Sequence, residues 1–102
     1  MRIVLVGSLA AVAASAAVPT QSNGMLLGET AAVVVSSPDG LFAGSGQVQT
    51  APEAAGPWAN AGAAMTANGT KVNAILLDRF IRLNVTARTA GTLEATIVAT
   101  TG

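Results

Sequence analysis

Five acidic side chains are the residues of this sequence best suited to acid–base or metal chemistry: Glu29, Asp39, Glu53, Asp78 and Glu94. No two of them are close in sequence or have the spacing of a carboxylate metal site. The sequence contains no histidine and no cysteine, which excludes serine–histidine triads and thiol chemistry. We therefore expect no enzyme activity, no catalytic residue, no metal site and no bound cofactor.

The remaining residues that bear on binding have both a functional and a structural interpretation. The glycines of residues 44–46 lack the lysine and the following helix of a phosphate-binding loop. Trp58, the only tryptophan, could stack on a sugar ring, but a lone tryptophan beside a loop is more often a core anchor, and we expect it in the core. Arg79, Arg82 and Arg88 are close in sequence and fit either a grip on an acidic neighbour or a solvated strand face.

The charge content favours association with other protein surfaces. Only 10% of the residues are charged, against about 25% in an ordinary domain, and the formal net charge is zero. A chain with so few basic residues has little with which to neutralise a run of phosphates, so we expect no nucleic-acid partner. Small domains usually stay dispersed by carrying a net charge of a few units. We therefore expect part of the apolar surface to lie against neighbouring protein.

The N-terminal segment resembles a secretory signal, with Arg2, an apolar stretch and an Ala-x-Ala pattern at residues 14–16. Its apolar run of residues 3–18 is shorter than the roughly 20 residues of a membrane span, and we expect no membrane association. The β-branched residues 3–6 end at Gly7 and fit a strand. We expect residues 9–17 to be extended or irregular. Left in water, residues 1–6 would be an exposed strand edge, and we expect them to add a strand to a neighbouring subunit or coat protein.

Turn signals divide the rest of the chain into short strands. Asn23-Gly24 and Asn68-Gly69 mark turns, and a strand begins at residues 25–27. Residues 37–40, Ser-Pro-Asp-Gly, fit a type I turn after the valine-rich strand of residues 31–37. The next strand should place Val48 inward and its flanking glutamines outward, and residues 71–77 form a further strand of mixed pattern.

Residues 78–99 show the clearest alternation in the sequence. Ile81, Leu83 and Val85 should face a core, with Arg82, Asn84, Thr86 and Arg88 on the opposite face. Gly91 should mark a hairpin turn, after which the inner face continues with Leu93, Ala95, Ile97 and Ala99.

These elements predict an all-β fold, an antiparallel β-sandwich of the jelly-roll or Ig-like kind with seven or eight short strands. Turns come too often for a domain boundary, so residues 1–102 should form one domain. Residues 1–23 are a candidate N-terminal segment for contacting a partner. The side chains that we expect to contact a partner are Arg2, Ile3, Val4, Leu5, Val6, Arg82 and Arg88.

From Ala31 onward the sequence resembles the small β-sandwich proteins of tailed-phage virions. In those proteins a strand with a glutamine-rich outer face leads through a polar loop to a tryptophan, followed by an Arg-aromatic-aliphatic-Arg strand and a Thr-x-Gly-Thr turn. The loop before the tryptophan, Ala-Ala-Gly-Pro-Trp, departs from the usual Asp-Gly-Thr-Trp pattern. The residues that carry the resemblance are Gln47, Val48, Gln49, Trp58, Arg79, Phe80, Ile81, Arg82, Val85, Thr86, Thr89, Gly91 and Thr92.

The resemblance implies a capsid decoration (cement) protein, often a homotrimer, located on the virion surface. Its partners would be the major capsid protein and further copies of itself, and it would stabilise contacts between coat subunits. Two other functions fit the residues. A tail or fibre module that recognises host glycans would need exposed aromatic residues, for which Phe42, Trp58 and Phe80 are available. An exported envelope protein would use the N-terminal segment as an anchor.

Overall fold

The computed structural model describes residues 2–21, 30–66 and 69–99, and it confirms the all-β prediction. These residues form eight strands, so the predicted number is also confirmed. In chain order the strands are β1 (Arg2–Leu9), β2 (Val18–Pro19), β3 (Thr30–Ser36), β4 (Ala43–Ala51), β5 (Ala59–Asn60), β6 (Thr70–Leu76), β7 (Phe80–Ala90) and β8 (Leu93–Ala99).

The strands form two four-stranded sheets, and every pairing within them is antiparallel. Sheet A has the order β1-β8-β3-β6, and sheet B has the order β2-β7-β4-β5. The two sheets enclose one core, as in the predicted β-sandwich.

The core is built from the inward-facing residues of both sheets. The alternation predicted for β7 is confirmed, because Ile81, Leu83 and Val85 are buried on the sheet B side. Leu93 and Ile97 of β8 are buried on the sheet A side. Each fully buried aliphatic side chain contributes roughly 1.5–3 kcal/mol to folding. The other buried apolar residues of the cluster are Val6, Ala31, Val33, Val35, Phe42, Val48, Met65, Ile75, Leu77 and Ala95.

The hairpin predicted at Gly91 is wrong, because β7 and β8 belong to different sheets. Strand β7 pairs with β2 and β4, whereas β8 pairs with β1 and β3. The turn at Gly91, with φ of 78°, carries the chain across the sandwich as an arch. The alternating pattern is correct for both strands, since their inner faces meet in the core from opposite sides.

The predicted turn at residues 37–40 is confirmed, and it holds the arch in place. The Gly40 N–H donates to the Ser37 carbonyl over 3.2 Å. The Asp39 carboxylate accepts hydrogen bonds from the Leu41 N–H at 3.0 Å, the Ser37 hydroxyl at 2.9 Å and the Thr92 N–H at 3.1 Å. The hydrogen bonds from Leu41, Ser37 and Thr92, in that order of importance, lower the pKa of Asp39 below its ordinary value of 3.8.

The N-terminal segment belongs to the sandwich of its own chain. Residues 3–6 form a strand, as predicted, and β1 pairs with β8 over its whole length with one irregularity between Leu5 and Gly7. One side of β1 is therefore occupied within the chain, which leaves only its outer edge for the predicted pairing with a neighbour.

Residues 13–20 then run along β7 in sheet B, in the extended form expected for this part of the chain. The Ser15 N–H donates to the Leu83 carbonyl over 2.7 Å, and the Ser15 hydroxyl accepts from the Leu83 N–H over 2.9 Å. These bonds cover the edge of β7, so the segment packs against its own sheet.

Several sequence predictions fall outside the described residues. They are the turn at Asn23-Gly24, the strand beginning at residues 25–27, the Asn68 half of the turn before β6, and the inward position of the Ala99 side chain. Across the described ranges the structure contains no helix with the length and hydropathy needed to cross a bilayer.

Candidate functional site

The outward-facing side chains of sheet A form a mostly apolar surface, which we call the apolar face; its polar members include Thr30, Ser36, Thr70, Glu94 and Thr96. The strand register places Leu5, Thr96, Val34 and Val72 in one row across the four strands. A second row runs from Ile3 through Val98 and Ala32 to Ala74. Leu76 extends the surface along β6, next to Thr30.

The large side chains of the apolar face are well exposed. The exposed fractions are 66% for Ile3, 55% for Leu5, 60% for Val72 and 67% for Leu76. Four strands about 4.8 Å apart, each about seven residues long at about 3.3 Å per residue, give sheet A an outer face of about 450 Å², its polar residues included. A mostly apolar face of that size on a small protein is commonly an interaction site. Glu94, which pairs in register with Ser8 and Ser36, lies at one end of it.

The outward-facing side chains of sheet B are different in character, and we call this surface the amide–aromatic face. The Arg82 guanidinium lies 4.3 Å from the centre of the Trp58 ring, and its Nε donates to Gln49 Oε1 over 2.9 Å. Gln49 Nε2 in turn donates to Asn60 Oδ1 over 3.0 Å. Strands β4, β5 and β7 thus present a connected row of polar groups ending on an aromatic ring.

Two polar side chains of sheet B hold the chain's own loops. Gln47 Nε2 donates to the carbonyls of Ala61 and Gly62, each over 3.1 Å, and so fixes the segment that follows β5. Arg88 Nε donates to the Gly91 carbonyl over 2.7 Å at the arch. The Nε donors of Arg82 and Arg88 therefore both bond to groups of this chain.

A shallow cleft of about 360 Å³ opens beside the amide–aromatic face. Phe80, on the same strand as Arg82, lies in its wall together with Arg79 and Glu53. Pro19 and Pro52 contribute apolar surface to the same cleft. Its volume lies at the lower end of the range of small-molecule sites.

The side chains predicted to contact a partner do not form one surface. Ile3 and Leu5 lie exposed on the apolar face, while Val6 is a core residue and Val4 packs against the core. Of residues 3–6, therefore, only Ile3 and Leu5 can contact a partner through their side chains. Arg2 begins β1, but its side chain lies outside the described part of the chain.

Arg82 and Arg88 lie on β7 of the other sheet, so the sandwich core separates them from the apolar face. Sheets packed face to face lie about 10 Å apart. A single flat partner surface therefore cannot contact both the arginines and the exposed residues of β1.

The sequence interpretation missed the contribution of β6 to the apolar face. Val72, Ala74 and Leu76 point outward, whereas Lys71 and Asn73 lie on the inward side, half-buried. Burial of apolar residues would place Val72 and Leu76 inside and Asn73 outside, which is the reverse of the structure. The sequence pattern of β6 is therefore mixed. Asn73 is satisfied there, because its Nδ2 donates to the Ala63 carbonyl over 3.3 Å.

The expected position of Trp58 is also wrong. Trp58 is half-buried against Arg82 on the outer side of sheet B and is not part of the core cluster. Phe42 is the aromatic residue of the core, with 1% of its surface exposed. Of the three aromatic residues available for binding, Trp58 and Phe80 remain at the surface.

The residues that carry the resemblance to phage virion proteins lie mainly in sheet B. Gln47 and Gln49 belong to β4, and the arginine-rich stretch beginning at Phe80 forms β7. Trp58 contacts β7 through Arg82. Comparison with family models, with curated proteins and with solved structures finds no match to this chain.

Proposed function

We propose that this chain is a structural virion protein that binds the outside of an icosahedral phage head and stabilises contacts between coat subunits. The observation that carries the proposal is the exposed apolar face of sheet A, with Ile3, Leu5, Val72 and Leu76 all more than half exposed. The resemblance of the β4–β7 region to phage decoration proteins supplies the identity of the partner.

The size of the apolar face supports binding to an assembled shell. Burying the apolar part of a face of about 450 Å², at about 25 cal/mol per Å², contributes less than roughly 11 kcal/mol before costs. Association itself costs an estimated 4–15 kcal/mol. A single copy on a single coat subunit would therefore bind weakly. A shell gives the protein contacts with two adjacent subunits, and linked contacts bind far more tightly than either one alone.

The mechanism of stabilisation is mass action. A protein that binds the closed shell and not the separated subunits stabilises the shell by about 2.7 kcal/mol per site at a hundred times its Kd. No catalytic step is needed. A neutral chain with an apolar face and a satisfied polar interior is suited to this role.

A binding experiment with a matched pair of variants tests the proposal. Heads purified from the phage that encodes this chain, stripped of it, are mixed with the wild type, Leu5→Lys or Asn84→Lys, then sedimented and melted. Leu5 lies on the apolar face, while Asn84 is an outward residue of sheet B. We expect the wild type and Asn84→Lys to bind and to raise the melting temperature of the heads, and Leu5→Lys to do neither.

Two results would contradict the proposal. Wild-type protein that fails to bind the heads would remove the virion role. Leu5→Lys that binds as well as Asn84→Lys would remove the apolar face from the contact. Circular dichroism of both variants checks that each keeps its strands.

A second function, recognition of host surface glycans, is favoured by the cleft beside the amide–aromatic face. Phe80 offers a ring, Arg79 and Glu53 offer charged groups, and Gln21 provides an amide. Binding sites for small ligands commonly combine apolar and aromatic walls with a few polar groups of this kind.

Titration of labelled protein with soluble polysaccharide fragments from the host tests this second function. We expect chemical-shift changes confined to Arg79, Phe80 and their neighbours, and at least a tenfold loss of affinity in Arg79→Ala. Arg88→Ala is the matched control, because Arg88 lies further along β7 and is not part of the cleft. An absence of shifts at the cleft with saturating polysaccharide would rule this function out.

A further inference from the structure

Three of the four sheet edges are short or irregular, and β6 is the exception. Strand β2 has two residues and ends in Pro19, and β5 also has two residues. The pairing of β1 with β8 shifts register between Leu5 and Gly7. Prolines, bulges and shortness are the devices that keep sheet edges from pairing with other chains.

Strand β6 is neither short nor bulged and has no proline, and its one protective feature is the inward-facing charge of Lys71 near its first residue. Its seven residues pair with β3 without a register shift, and the strand contains no proline and one charge, Lys71. In an antiparallel ladder every second residue of an edge strand directs its N–H and C=O to the open side. Within residues 2–21, 30–66 and 69–99, the backbone groups of β6 have no hydrogen-bond partner other than β3. The strand is therefore a regular template for one more strand.

We propose that the open edge of β6 pairs with β6 of a second copy of this chain, antiparallel and about a two-fold axis at Ala74. The two sheets A then become one continuous eight-stranded sheet. Main-chain hydrogen bonds supply the affinity of such strand addition, and side-chain pairs set its register. The inference does not depend on the proposed function, because two copies can pair without a shell, and it proposes a dimer where the resemblance to decoration proteins implies a homotrimer.

The sequence of β6 selects this register. A two-fold axis at Ala74 places Val72 opposite Leu76 of the second copy, and Leu76 opposite Val72, so that the two largest exposed side chains of the strand meet. Directly opposed apolar pairs stabilise a sheet, whereas opposed like charges destabilise it. Lys71 faces Leu77 of the second copy in this register, so no like charges are opposed.

The edge pair also extends the apolar face. Outward residues of both copies lie on the same side of the joined sheet, because alternate residues of every strand share a face. A surface of about 450 Å² per copy thus becomes one of about 900 Å² in the pair. The self-complementary register of Val72 and Leu76 is what makes a second copy the occupant of this edge.

Charge variants at Ala74 test the pairing in solution by sedimentation velocity. We expect the wild type to sediment as a dimer. Ala74→Lys and Ala74→Glu place like charges opposite each other at the axis, so each alone should raise the dimer dissociation constant by about fivefold or more. A one-to-one mixture of the two variants should form a heterodimer again, which also shows that both are folded.

Ala32→Lys is the matched control. Ala32 pairs with Ala74 in register and shares the apolar face, but it lies on β3, inside the sheet. Edge pairing predicts that Ala32→Lys stays dimeric. If Ala32→Lys dissociates as readily as Ala74→Lys, the copies associate face to face and the edge proposal is wrong. A wild type that is monomeric or trimeric, or a Lys/Glu mixture that stays monomeric, also overturns it.

Amide hydrogen exchange gives a direct readout of the edge. In the dimer all central amides of β6 should exchange slowly, and on dilution to monomer every second one should become fast. Strand β1, the other edge of sheet A, should keep its alternating pattern at both concentrations. An unchanged β6 pattern on dimerisation would exclude edge pairing whatever the sedimentation result.

Discussion

Replacing Gly91 with alanine should destabilise the fold much more than the same change at Gly40. Both glycines have positive φ, 78° at Gly91 and 70° at Gly40. An alanine at either position has a left-handed backbone penalty of about 1–2 kcal/mol. Reduced freedom of the unfolded chain offsets about 0.4–1 kcal/mol of it at both positions. The backbone terms are therefore nearly equal in the two variants.

The contacts of the added Cβ are different. At Gly40 a Cβ would meet no heavy atom within 4 Å, so Gly40→Ala should cost about 1 kcal/mol or less. At Gly91 a Cβ would lie 2.5 Å from Phe42 Cα and closer still to the Leu41 carbonyl carbon. These are backbone atoms beside a fully buried ring, so the arch has to move. Overpacking of this kind costs about 1–3 kcal/mol, and Gly91→Ala should cost about 2–4 kcal/mol in total.

Urea denaturation measures both free energies of unfolding, with the fluorescence of Trp58 as the probe. We expect the midpoint of Gly91→Ala to fall well below that of Gly40→Ala, with similar slopes. Costs that agree within about 0.5 kcal/mol would refute the reasoning, because the arch at Gly91 would then not be packed against residues 41–42.

Three further predictions concern the core, the acid response and a buried hydroxyl. Leu83→Ala should lower the free energy of unfolding by about 2–5 kcal/mol in urea titrations, while Leu5→Ala, on the apolar face and away from β6, should change it by less than about 0.5 kcal/mol; equal costs would mean that the faces are misassigned. The lowered pKa of Asp39 means that its ionised form stabilises the fold at neutral pH, and that this contribution is lost as pH falls below 3.8. The melting temperatures of Asp39→Asn and wild type should therefore converge in acid. A constant difference between them would contradict the assignment. Thr20 is fully buried and its hydroxyl donates to the Asp78 carbonyl over 2.6 Å, so Thr20→Val should cost about 1–3 kcal/mol by thermal denaturation, and a neutral result would show that the bond contributes nothing.

The alternation of residues 81–97 is sufficient to predict which side chains of β7 and β8 are buried, because a strand's period of two fixes the face of every residue. The same pattern does not predict which strand each of them pairs with. A hairpin and an arch place Leu83 and Leu93 in the same core, and they differ only in whether the two strands share a sheet. That choice depends on β2 and β4 occupying both edges of β7, which no local pattern reveals.

The surfaces were harder to predict than the core for a related reason. A hydrophobic-inside rule fails for β6, where Val72 and Leu76 point outward and Asn73 points inward. A lone tryptophan beside a loop predicts a core anchor at Trp58, but the Arg82 side chain provides it with a partner on the outer face. Strand β6 and Trp58 both depart from the usual burial preference, and both lie at surfaces that the proposals connect with binding. Such departures are expected at functional surfaces.

The pairing of the first strand with the last determines how this chain must fold. Strand β8 lies between β1 and β3, so sheet A remains in two pieces until β8 is in place. Closing so long a loop costs entropy before any contact repays it, and topologies with this high contact order fold in milliseconds to seconds. During synthesis β1 leaves the ribosome well before its partner exists. Its apolar residues Ile3 and Leu5 are then unpaired. During this interval, chaperones that hold exposed strands would bind β1.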